Sequence, residues 1–212
     1  SSGVYAYNLV SISYSTSPSC PTSQTGSATV TVNPLPTATI GGATTVCLNS
    51  TQPVITFTGS GGTSPYTFTY NINGGASQTV TTTTGNSVTV SVPTSTAGTF
   101  AYNLTGIQDT SSTTCLQTLT LSVSVVVRPL PSATISGTTS ICQGDTSPVI
   151  TFTGSGGTAP YIFTYNINGG TNQTVTTTTG NSVTVNVPTT SSGVYAYNLV
   201  SISYSTSPSC PT

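Results

Sequence analysis

Along most of this 212-residue chain apolar residues recur on alternate positions. Between residues 34 and 128, Ala38 and Ile40 alternate with threonine, and Ile55 and Phe57 share a second face. Tyr66, Phe68, Tyr70 and Ile72 share a third, opposite Thr67, Thr69, Asn71 and Asn73. Val88, Val90 and Val92 form the next row, ended by Pro93. Phe100, Tyr102 and Leu104 follow, and Leu119, Leu121, Val123, Val125 and Val127 close the series. A period of two puts successive side chains on opposite faces of a strand, and no window shows the spacing of an amphipathic helix. Gly59-Ser60-Gly61-Gly62 and Asn73-Gly74-Gly75 punctuate the rows with residues that tolerate the positive φ of tight turns. About seven short alternating strands in roughly a hundred residues is the pattern of a two-sheet sandwich with Greek-key links. The expected fold class is all-β.

The rows then repeat. NPLPTATIGGATTVC at 33–47 returns as RPLPSATISGTTSIC at 128–142, and VITFTGSGGTSPYTFTYNINGG at 54–75 returns nearly unchanged at 149–170, each 95 residues on. SSGVYAYNLVSISYSTSPSCPT stands at 1–22 and again, letter for letter, at 191–212, whereas the intervening copy at 96–117 has diverged. The larger period is therefore 190 residues, two alternating modules of 95. Three regions are predicted: 1–33 as the C-terminal strands of a preceding module, 34–128 as one module, and 129–212 as a module lacking its last strand. The chain reads as a slice through a tandem array; the rival reading is a subunit whose N-terminal piece completes a neighbour. In both, Ser27, Ala28, Thr29, Val30, Thr31 and Val32 are the strand-completion segment, because they follow the same Cys-Pro-Thr at the other end of the chain. A sandwich without that strand exposes an edge that invites pairing. Copies are expected to join head to tail as a filament rather than close into a dimer.

Charge changes the picture next. Only Asp109, Arg128 and Asp145 are charged, and there is no Lys, Glu or His. Ordinary domains are about a quarter charged. A surface this neutral cannot attract nucleic acid, which needs clustered Lys and Arg. No apolar run approaches the ~20 residues of a membrane span, so no membrane insertion is expected. Disorder is excluded by the regular alternation of Val, Ile, Leu, Tyr and Phe.

Chemistry has little to work with. General acid–base catalysis needs a group that titrates near neutrality, and the abundant Ser and Thr have no base to activate them. The two Asp lie in different modules and cannot converge on a hard cation. GSGGT at 59–63 and 154–158 is followed by neither a P-loop Lys nor a helix, and reads as a turn. No enzyme, metal or cofactor is expected. Tyr66, Tyr70, Tyr161 and Tyr165 are the candidates for a sugar-stacking platform, but their alternation puts them on the core face. Thr67, Thr69 and Thr81 to Thr84 form rows expected to face outward, as for an ice- or crystal-binding surface or simply an exposed strand.

PLPTATIGGATTVC, the GSGGTSPYTFTY turn and strand, AGTFAYNL and the Cys before a long Val/Thr strand resemble PKD-like (immunoglobulin-like) repeats. Such modules occur in very large secreted cell-surface proteins of Bacteroidota, including adhesins linked to gliding and type IX secretion. The resemblance covers each module end to end. It implies an extracellular or cell-surface location and a structural repeat of a fibre, stalk or giant adhesin, whose partners are copies of itself. The alternative is a multivalent module binding cell-surface or environmental glycans. The near absence of Asp and Glu departs from repeats that stiffen their linkers with calcium.

Five cysteines, Cys20, Cys47, Cys115, Cys142 and Cys210, obey the same 95-residue period. Two per module in a secreted-looking chain read as disulfides. Cys47–Cys115 and Cys142–Cys210 would be the pairs within modules. In an immunoglobulin-like order, however, those positions lie at opposite ends of a sandwich, whereas Cys47 could meet Cys210 at a junction between stacked modules. Both schemes stay open on the sequence, and the partner of Cys20 lies outside the chain or in a neighbour.

Overall fold

The computed structural model describes residues 1–212 and consists of sixteen strands without a helix. Strands β1 (Gly3–Ile12) and β2 (Thr22–Val32) form an antiparallel hairpin. There follow β3 (Thr37–Gly41), β4 (Thr44–Cys47), β5 (Val54–Ser60), β6 (Thr67–Ile72), β7 (Gln78–Thr81), β8 (Ser87–Ser91), β9 (Gly98–Gln108) and β10 (Leu116–Arg128). Their sheets run β3-β5-β8 and β4-β10-β9-β6-β7. The remaining strands are β11 (Ser132–Ser136), β12 (Val149–Ser155), β13 (Tyr161–Ile167), β14 (Gln173–Thr176), β15 (Ser182–Asn186) and β16 (Tyr197–Tyr204). These form sheets ordered β11-β12-β15 and β14-β13-β16.

The chain makes two compact units. The first comprises 1–41, 55–90 and 101–123. Its core holds the predicted Ile55, Phe57, Tyr66, Phe68, Tyr70, Tyr102 and Leu104 together with Ile107, which the predicted rows did not include; all are buried. Phe57 of β5 lies 5.6 Å from Phe68 and 5.1 Å from Tyr70 of the other sheet, and within that sheet Tyr70 lies 6.1 Å from Tyr102. Offset aromatic pairs at such distances add to what their buried area contributes. The NINGG segment turns β6 into β7 through Asn73 and Gly74, with φ of 52° and 74°, and the Asn71 side chain accepts the Gly74 N–H at 3.0 Å. That left-handed pair is what an Asn-Gly hairpin supplies.

The second unit comprises 42–54, 91–100 and 124–212. Its core repeats the plan: Phe152 lies 5.6 Å from Phe163 and 5.0 Å from Tyr165, and Tyr161 lies 5.9 Å from Tyr204. Here β4 runs parallel to the end of β10, from Val125↔Thr44 to Arg128↔Cys47.

The structure adds two strands to those the alternation shows and corrects two expectations. Strands β4 and β7 carry too short an apolar row to be read locally, and exist because a longer strand pairs with each. The inward row of β10 is buried only at Val125 and Val127, while Leu121 is exposed. Period two says which residues share a face, not what covers it. Thr82, expected outward, is 2% exposed, and its hydroxyl accepts the Tyr66 N–H at 2.9 Å; Thr177 does the same for Tyr161. Thr82 and Thr177 therefore close the end of an aromatic strand, while Thr81, Thr83 and Thr84 are exposed as expected.

Candidate functional site

The duplicated segment supplies an internal control, because the same twenty-two residues occupy two settings. In the β1-β2 hairpin every one is exposed, with Ile12 at 63% and Tyr14 at 72%. Their counterparts Ile202 and Tyr204 are 3% and 2% exposed, packed into the second core. The Tyr204 hydroxyl also donates to the Pro129 carbonyl at 2.7 Å.

Strand β16 has a neighbouring strand on one side only. It pairs with β13 through one edge and ends its sheet, whereas β9, its equivalent 95 residues earlier, lies between β6 and β10. On the open edge the Tyr204 N–H donates to the Ser209 carbonyl at 2.7 Å, and Ile202 exchanges hydrogen bonds with Thr212 at 3.3 and 3.0 Å. That pair repeats Ile12↔Thr22 in the hairpin. The neighbourhood registers the gap. Residues 193–196 are not strand although 98–101 are, and 139–142 are not strand although Thr44–Cys47 is. Their counterparts at 98–101 and Thr44–Cys47 lie beside β10, and a segment without such a neighbour has no strand to pair its N–H and C=O groups. A groove of about 640 Å³ lies there, with Ile135, Cys142, Ile150, Val187, Tyr195 and Tyr197 among its walls. The predicted completing segment, Ser27, Ala28, Thr29, Val30, Thr31 and Val32, lies on β2, exposed and paired with β1 from Asn8↔Ser27 to Gly3↔Val32.

The cysteines decide between the two pairing schemes. Cys47 is bonded to Cys210, with Cα atoms 5.5 Å apart. The within-module pairs Cys47–Cys115 and Cys142–Cys210 do not form; Cys20, Cys115 and Cys142 are free thiols. Local structure explains the choice. Parallel pairing sets Cys47 beside Arg128, the last residue of β10. The Arg128 guanidinium donates to Thr206 Oγ1 at 2.9 Å and to the Pro208 carbonyl at 3.4 Å, and lies 5.6 Å from the Tyr204 ring. That clamp brings the 206–210 loop, and with it Cys210, to Cys47. The lone cation of the chain therefore holds the 206–208 loop beside the end of β10, a role its sequence context did not reveal.

A second clamp stands one period earlier. Asn33, at the position equivalent to Arg128, donates to Ser112 Oγ at 3.3 Å and Thr113 Oγ1 at 2.9 Å. The loop it holds is organised by Asp109, which is 2% exposed and has no cationic partner. Asp109 accepts the N–H groups of Thr63 at 3.1 Å, Ser111 at 3.3 Å and Cys115 at 2.8 Å, and the Ser111 hydroxyl at 2.8 Å. Burial by itself would raise its pKa, but the four donors outweigh burial and hold the carboxyl below its ordinary value. Gly62 leaves the space this carboxylate fills, because a Cβ there would stand 2.6 Å from Asp109 Oδ2. The GSGGT run is thus a packing device against Asp109 and, through Gly59, against the Tyr66 ring. The tyrosines weighed as a sugar platform, Tyr66, Tyr70, Tyr161 and Tyr165, are all buried.

No family model and no curated protein matches the chain. Among solved structures it is similar to a Ca2+-stabilized adhesin that helps an Antarctic bacterium reach out and bind ice. The two are 18% identical with a TM-score of 0.44, over 98% of this chain and 54% of that one. It is also similar to a 1.5-MDa bacterial ice-binding adhesin described for host cell surface retention, at 16% identity and a TM-score of 0.47, over 90% of this chain and 67% of that one. The chain spans about half the length of the first of these structures. At such identities and scores no functional argument rests on the likeness.

Proposed function

We propose that the chain is a structural repeat of an extracellular fibre, stalk or giant cell-surface adhesin of the Bacteroidota PKD-like kind. It would be built from Ig-like Greek-key sandwiches of 95 residues, at 34–128 and 129–212, that join end to end into a filament. One observation carries the reading: β16 ends its sheet with an edge the length of a strand, and β2 is the strand that pairs with the identical sequence in the hairpin. Moving the hairpin register on by one 190-residue period sets Gly193 opposite Val32, Tyr195 opposite Val30, Tyr197 opposite Ala28 and Leu199 opposite Gly26 of the next unit. Thr212 already occupies the first position of that strand. Main-chain pairing supplies the affinity in such β-augmentation, and apolar side chains on one face supply the selectivity.

Neutrality supports the same role, since near-zero net charge removes the repulsion that keeps copies apart. Length and toughness then come from repetition, as in other linear arrays. The buried tyrosines leave the glycan-binding alternative without a platform among the residues considered for it. Cryo-electron microscopy of the native material tests the proposal. A filament with a 190-residue axial repeat and a strand with the sequence of 23–32 beside every β16 is expected. Density that runs from Thr212 into that strand means one covalent chain, and a break there means separate subunits joined by strand donation. An edge of β16 closed by its own residues, with 1–33 lying loose, refutes both versions.

A further inference from the structure

We infer that Cys142 forms a disulfide with Cys115 of the next 190-residue unit, so that every module junction along the array, and not every second one, is closed by a cystine. This rests on the end-to-end reading above and adds the covalent chemistry of the joint.

The observed bond defines the rule. Cys47 is the first cysteine of one 95-residue module and Cys210 the second cysteine of the following one, 163 residues later. Applied to Cys142, the same separation of 163 residues reaches Cys115 of the next unit. Neither thiol has a partner within the 212 residues, as the rule requires. Cys20 is the duplicate of Cys210, and its partner is Cys47 of the preceding unit.

Both halves of the joint are already shaped for it. The loop of Cys142 keeps the backbone bonds of the loop of Cys47. Asp145 N–H donates to the Cys142 carbonyl at 3.2 Å as Ser50 N–H does to Cys47 at 3.1 Å. Gly144 N–H donates to Thr189 at 2.9 Å as Asn49 N–H does to Thr94 at 2.8 Å. Asp145 adds a carboxylate contact to the Cys142 N–H at 2.9 Å. What the Cys142 loop lacks is the strand-end partner: Leu48 N–H reaches the Arg128 carbonyl at 2.8 Å, and Gln143 has no final strand to meet. The completing strand would provide it and end at Asn33, the counterpart of Arg128.

On the other side, Asn33 holds the 112–113 loop much as Arg128 holds the 206–208 loop. The loop carrying Cys115 therefore already sits against the end of a preceding module's last strand, where Cys210 sits relative to Arg128. Asp109 fixes the Cys115 main chain, and the Cys115 sulfur is within 3.6 Å of the Ser111 hydroxyl and 3.3 Å of the Thr113 hydroxyl.

Formation of the bond is a two-electron oxidation. The Cys142 and Cys115 thiols lose two protons and two electrons to form one S–S bond. The oxidant is a disulfide-bearing exchange partner of the extracytoplasmic compartment, itself reduced to two thiols.

Peptide mapping of the native assembled protein tests the inference. Free thiols are blocked with N-ethylmaleimide, the filaments are digested with pepsin without reduction, and linked peptides are sequenced by mass spectrometry. The expected links join SICQGD to STTCLQT and TVCLNS to SPSCPT. Links of SICQGD to SPSCPT and of TVCLNS to STTCLQT would place the bonds within modules and overturn the inference. So would intact filaments in which Cys142 and Cys115 both carry maleimide, although the end-to-end reading would then survive. Material that forms no filaments overturns that reading and the inference with it. In a Cys142→Ser protein, Cys115 is expected to become maleimide-reactive while the TVCLNS–SPSCPT link persists.

Discussion

Replacing both Cys47 and Cys210 with alanine removes a cross-link between positions 163 residues apart. In the chain-entropy account a loop of that length stabilises the folded state by about 5 kcal/mol, against the 2–4 kcal/mol commonly measured for native disulfides. Only the strand pairing of Thr44–Cys47 with Val125–Arg128 and short loop contacts would then hold segment 42–54 in its unit. For a protein of this size each kcal/mol corresponds to about 2–4 °C in Tm, so a fall of about 5–15 °C is expected. Differential scanning calorimetry of the 212-residue chain, oxidised and reduced, measures it. Hydrogen exchange should show Thr45 to Leu48 losing protection first, as the shortest-paired part of the unit. Cys142→Ala, at an exposed position, serves as the control and should leave the Tm of the single unit within about 2 °C, since surface changes away from special features are usually within ±0.5 kcal/mol. A Tm indifferent to reduction would refute the argument. So would equal losses from Cys115→Ala and Cys142→Ala, which would mean that bonds form within modules in solution.

Three further outcomes follow from the geometry. Tyr66→Phe should cost about 1 kcal/mol because its hydroxyl donates to Gly62 O at 3.1 Å, whereas Tyr161→Phe should be neutral or stabilising because the Tyr161 hydroxyl is buried without a partner; paired urea melts compare them. Asp109→Ala strands the N–H groups of Thr63, Ser111 and Cys115 and should cost about 2–4 kcal/mol. With its folded pKa depressed, Asp109 contributes stability that is complete above the unfolded value of about 3.9 and disappears as pH falls through the lower folded value, so thermal melts should be flat near neutrality and fall only in acid. Gly62→Ala should cost about 1–3 kcal/mol through overlap with Asp109, while Gly41→Ala, which meets nothing within 4 Å, should change little; a stable Gly62→Ala protein would mean that the 109–115 loop yields freely.

Much of the core was legible because burial here obeys a local rule. Phe57, Phe68, Tyr70, Tyr102 and Leu104 lie on the faces that alternation assigned them, and the Asn73-Gly74 turn falls where its dihedral tolerance predicts. The joint was not legible in the same way. Arg128 looked like an isolated charge, and its contacts with Thr206 and Pro208 span 78 and 80 residues. Asp109 looked like a loop carboxylate, and its deep burial depends on Gly62, Thr63 and Cys115 arriving from elsewhere in the chain.

By itself the sequence determined the all-β class and the 95- and 190-residue periods, since each is a property of residue type and spacing. The tertiary structure alone decided which of two identical segments is buried. Ile12 and Ile202 carry the same neighbours in sequence, yet one is 63% and the other 3% exposed, because only the second has β13 and an aromatic core against it. It also decided that Cys47 meets Cys210. A disulfide requires proximity in space, and that proximity came from a parallel strand pair and a guanidinium clamp that no local pattern encodes.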